Sequence, residues 1–90
     1  MIKKFSEQEA ALAVRMYLAK KYGTTTISRV LALKGSTTAQ SRDLMALFKQ
    51  RGISLHSTAE RQSIALRERA RPEFKSKYYY YQVAREFTNE

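Results

Sequence analysis

A mainly α fold, organised around three consecutive helices, is what the sequence predicts. Three observations carry this reading. Apolar residues in the first half recur at the i, i+3, i+4 spacing of a helix face. Ser or Thr is followed three residues later by Glu or Gln at Ser6–Glu9, Thr37–Gln40 and Ser57–Glu60, a pattern that satisfies orphan amides at a helix start. The three glycines, Gly23, Gly35 and Gly52, each fall just after such an apolar stretch, where a helix can close in the left-handed conformation. A chain of 90 residues has room for one core, so residues 1–90 are read as a single domain.

The first helix follows the Ser6–Glu9 box, with Ala10, Ala11, Val14, Tyr17 and Leu18 at helical spacing. Lys20 and Lys21 suit the negative end of its dipole, and Gly23 is expected to close it. Thr24, Thr25 and Thr26 offer caps for a second helix of roughly ten residues, with Ile27, Val30 and Leu31 inward and Gly35 at its end. Ser36, Thr37 and Thr38 open a third, in which Leu44, Leu47 and Phe48 form one apolar stripe. Lys49 and Arg51 fall in its last turn and Gly52 closes it. Ile53 and Leu55 alternate with Ser54 and His56, which predicts a short strand.

Beyond residue 56 two readings stay open. The Ser57–Glu60 box precedes Arg61–Arg71, rich in helix formers, and helix is the preferred reading there. Ser63–Arg67 would also serve as a strand, with Ile64 and Leu66 on one face. Pro72 ends that element. Phe74, Tyr78, Tyr81 and Ala84 fit a helix starting at Pro72, while Tyr78–Val83 fits a strand equally well. The alternative to an all-helical chain is therefore α+β, with a short β-hairpin in the second half.

Charge bounds the function. Lys and Arg number 17 against 8 Asp and Glu, a net +9 spread along the chain. A folded domain with that surplus presents a positive surface, and polyanions are its natural partners through phosphate neutralisation and counterion release. The absence of Cys excludes disulfides and thiolate metal sites and fits a cytoplasmic location. No apolar run has the length of a membrane span, and residues 1–7 lack the apolar segment of a secretion signal. His56 is the one histidine and Asp43 the one Asp, and no Gly-rich phosphate loop is present. This poverty of catalytic groups points away from an enzyme, a metal or a cofactor.

The segments Ile27–Leu33 and Gln40–Ile53 together resemble the core of winged helix-turn-helix DNA-binding regulators. The resemblance covers roughly residues 24 to 56 and rests on Leu44, Leu47, Gly52 and Ile53. The Lys34–Thr37 link is longer than the family's tight turn. The resemblance implies a small tri-helical helix-turn-helix core, winged if the hairpin forms. It also implies a regulator of transcription or replication that sets its third helix in the major groove of double-stranded DNA. The polar start of that helix, Thr37, Thr38, Gln40, Ser41 and Arg42, would then face the duplex. Arg42 is suited to guanine and Gln40 to adenine, and Thr25 and Thr38 to phosphates. The plain alternative is that these are helix caps and a solvated arginine.

A second basic group comprises Arg61, Arg67, Arg69, Arg71, Lys75 and Lys77, expected to grip phosphates. Its alternative is a solvated face with local ion pairs such as Glu68–Arg71. The run Tyr78–Tyr81 is expected to place half its rings in the core and half in solvent or a homodimer interface, with base stacking the lesser reading. RNA binding, and a basic module that inhibits a protein partner, are the rival functions.

Overall fold

The computed structural model describes residues 5–35, 40–74 and 76–88 of the chain, with the side chain of residue 88 left out. Five helices occupy them: α1 (Glu7–Leu18), α2 (Thr24–Leu33), α3 (Ser41–Gln50), α4 (Thr58–Arg69) and α5 (Lys77–Thr88). No strand occurs among the described residues.

Two helix starts are fixed by their side chains. The Glu9 amide donates to Ser6 Oγ at 3.1 Å, and the Ser6 amide donates to Glu9 Oε1 at 2.8 Å. The Ser57–Glu60 box repeats this at α4, with distances of 3.1 and 2.9 Å. Helices α2 and α3 begin without a side-chain cap bond, at Gly23 and Gln40 respectively. The third helix thus starts later than expected, and the Thr37–Gln40 box lies partly outside the described residues. Gly35 and Gly52 close α2 and α3 at φ 104° and 74°. Gly23 does not close α1. Lys20 takes the left-handed turn there, at φ 58°. Gly23 is extended and forms the N-cap of α2, where its amide donates to Glu68 Oε1 at 3.0 Å. A Cβ on Gly23 would lie 3.2 Å from that oxygen, so close approach is what suits glycine to the position.

The strand expected at Ile53–Leu55 is an extended link instead. It has no neighbour to pair with, because both later segments are helical. Ile53 and Leu55 pack against the core, and the His56 amide donates to the Tyr17 hydroxyl at 2.7 Å. The hairpin, and with it the wing, is therefore corrected. The tyrosine run is helical for a packing reason. Tyr79 and Val83, one turn apart, are fully buried, with Tyr80, Ala84 and Phe87 beside them on the same side. That helical stripe packs on α2. It starts at Lys77 rather than Pro72, because residues 72–74 form a turn and Ser76 Oγ donates to the Glu73 carbonyl at 2.8 Å.

The core gathers Ala13 and Met16 of α1, Ile27, Val30 and Leu31 of α2, Leu44 and Phe48 of α3, and Tyr79 and Val83 of α5. Helix α2 runs through the middle and packs on α1, α3 and α5, while α1 and α3 also meet. The Tyr17 ring is stacked between Phe48 and His56, at centroid distances of 4.1 and 3.8 Å. Helix α4 buries only Ile64 and Glu68 and is tied on largely by polar bonds. Lys20 Nζ meets Glu60 Oε2 at 2.6 Å, and Arg67 Nη2 donates to the Lys20 carbonyl at 2.8 Å. The radius of gyration, 12.5 Å, matches the roughly 12 Å of a compact chain this long. Among the described residues no helix is long and apolar enough to cross a membrane.

Candidate nucleic-acid interface

Helix α3 has two faces. Leu44, Leu47 and Phe48 are buried at i, i+3, i+4. Arg42, Ala46, Lys49 and Gln50 are exposed at i, i+4, i+7 and i+8, so they form one outward stripe. It carries two cations, an amide and, in its middle, a side chain of one methyl group. Gln40 is exposed just before the helix, and its side chain makes no cap bond. Ser41 is half-buried, with its Oγ 3.3 Å from Thr25 Oγ1 at the start of α2. Thr37 and Thr38 lie outside the described residues.

Beside this stripe a cleft of about 240 Å³ opens between the start of α2, Met45 of α3, His56 and the start of α4. Thr25 and Arg61 line it. Arg61 is exposed and forms no ion pair among the described residues. The first turn of α2 contains no acid of its own, and the Glu68 carboxylate of α4, which also lines the cleft, meets the positive end of that helix by accepting from the Gly23 amide. Burial lowers the His56 pKa from its ordinary 6.5, against the opposing pull of Glu60, so the ring is neutral at pH 7.

The remaining basic residues are not gathered with these. Arg71 is taken up by the fold: Nε donates to Glu73 at 2.8 Å, Nη1 to the Tyr22 hydroxyl at 2.8 Å and Nη2 to Glu86 at 3.3 Å. The expected Glu68–Arg71 pair is absent from its contacts. Glu68 is buried instead, accepting from the Gly23 amide and from the hydroxyls of Thr26 and Tyr79. Arg67 is bound to the Lys20 carbonyl, and Arg69 is exposed on α4. Lys75 lies outside the described residues, and Lys77 begins α5, on a different helix.

Thr25, Gln40, Ser41, Arg42 and Arg61 thus belong to the α2–α3–α4 side, whereas Arg67, Arg69, Arg71 and Lys77 do not extend that stripe. Sequence reasoning read Lys49 only as a dipole partner at a helix end. Its i+7 spacing from Arg42, opposite the leucine stripe, is the signal that places it on the same face. No family model, curated protein or solved structure matches the chain. Among the described residues no group of His, Asp and Glu has the make-up of a metal site.

Proposed function

We propose that the chain is a non-enzymatic protein that binds duplex DNA and regulates transcription or replication. In this reading α1, α2 and α3 form a tri-helical core, and α2 and α3 are its helix-turn-helix pair. The outward stripe of α3 is the observation that carries it. A helix entering the major groove needs cations to meet phosphates and guanines, and a slim centre to approach the base edges. Arg42 lies nearest the helix start and is assigned guanine O6 and N7. Ala46 is assigned contact with a thymine methyl, and Lys49 a phosphate. Gln40 stands before the first turn as an adenine reader. Thr25, Ser41 and Arg61 take the phosphates alongside, so that Arg61 of α4 occupies the role a wing has elsewhere.

Selection from a random duplex library, followed by fluorescence anisotropy over a salt series, tests this. Arg42→Ala is expected to cost about 1–3 kcal/mol on the selected site and to relax base preference. Lys49→Ala and Arg61→Ala are each expected to weaken all sequences alike and to lower the salt slope by about one. Failure to select any sequence, together with weak binding indifferent to all three variants, would contradict the proposal.

A further inference from the structure

Helix α5 leaves a face that neither the core nor the α3 stripe uses. Lys77, Tyr78, Tyr81, Gln82 and Arg85 are exposed on it. Tyr78 is 63% exposed and Tyr81 55%, although the neighbouring Tyr79 is wholly buried. The two rings stand at i, i+3 and project from one side of the helix. Lys77 Nζ lies 5.5 Å from the Tyr78 ring centroid. Arg85 follows Tyr81 by one turn and has no ion pair among the described residues. Glu86 is turned to Tyr22 and Arg71 instead. The face is therefore aromatic and cationic, and none of its described residues is acidic.

We infer that this face is a stacking platform for the unpaired bases of single-stranded DNA. Each tyrosine ring takes one base, while Lys77 and Arg85 take the flanking phosphates. Charge decides against a second copy of the chain as occupant. A symmetric pairing would set Lys77 and Arg85 near their own images, with no carboxylate on the face to meet them. An acidic peptide would suit the cations, but it brings no run of flat ring systems to cover the two exposed tyrosine faces. The choice of DNA over RNA rests on the duplex reading above, while the platform itself lies on another helix and uses other residues.

The test is anisotropy of a labelled oligo-dT of about 15 nucleotides and of the selected duplex, with both exposed tyrosines changed. Tyr78→Ala with Tyr81→Ala is expected to weaken oligo-dT binding by about thirtyfold or more and to leave duplex binding unchanged. Tyr78→Phe with Tyr81→Phe is expected to retain binding, since the ring face remains. The chain has no Trp, so quenching of tyrosine emission by oligo-dT reads stacking directly. Arg42→Ala with Lys49→Ala is expected to do the converse, sparing oligo-dT, so the two readings fail separately. Oligo-dT binding that is absent, or unaffected by the alanine pair, would overturn the inference. So would a wild-type dimer that the alanine pair dissociates, or oligo-U bound more tightly than oligo-dT.

Discussion

Glu68 is 7% exposed and accepts from an amide and an aliphatic hydroxyl at the start of α2 and from a phenol of α5. It couples the start of α2 to α4 and α5. Removing it strands two buried hydroxyls and a half-buried amide, each of which costs more unpaired than it gained when paired. Glu68→Ala is expected to lower stability by about 3 kcal/mol, and Glu68→Gln by about 1–2 kcal/mol, in urea denaturation. Equal and small losses would show that the three donors find water. Nothing about Glu68 as a residue type distinguishes it from Glu73, since both stand among arginines. Its i+4 spacing from Ile64 on the inward face of α4 is the sequence signal for its burial. Tyr22 is a second buried polar centre. Burial first, then its bond to Glu86, pushes its pKa up to about 12 from 10.0, with Arg71 opposing. The folded state therefore holds the Tyr22 proton longer than the unfolded chain. That contribution is complete below pH 10.0 and is lost as pH rises towards 12. Unfolding followed by circular dichroism is expected to steepen in that window, and Tyr22→Phe is expected to make it shallower, leaving the part owed to Tyr79, whose pKa burial also raises. An identical profile for the variant would remove Tyr22 from the alkaline transition.

Helices α1 and α4 were legible because their capping boxes are local chemistry, written within four residues. Ser57→Ala is expected to cost about 1 kcal/mol and to speed amide exchange in α4 more than in α1 or α2. Uniform acceleration would mean that α4 does not open separately. The Glu60 of the same box is held down at about 2 from 4.5, first by its bond to Lys20 and then by the Ser57 amide. Its support for α4 is present above pH 4.5 and is lost as pH falls towards 2. Helix α5 was not legible, because four consecutive tyrosines satisfy a period of two as readily as one of 3.6. The apolar flank of α2 decided it by accepting Tyr79 and Val83, a distant contact that no local rule contains. The strand at Ile53–Leu55 failed for the matching reason, since alternation alone supplies no partner.

Across the whole molecule, a net +9 promised a positive surface but not where its charges would stand. The fold takes up Arg71 in a cluster with Glu73, Glu86 and Tyr22 and binds Arg67 to a carbonyl, while Arg42, Lys49 and Arg61 remain exposed on the α3–α4 side. A segment dense in arginine was therefore a poor guide to the candidate site, because ion pairs with distant acids cannot be read from spacing. The proposed duplex interface has its centre at Ala46, an exposed methyl group on a helix that glutamate also favours. Ala46→Glu places a negative charge there without touching the core. The decisive measurement is the affinity of this variant for duplex DNA at low salt, beside its thermal midpoint. Loss of binding by more than about tenfold, with an unchanged midpoint, is the expected result. A folded Ala46→Glu variant that binds duplex DNA as tightly as the wild type would show that α3 never enters the groove.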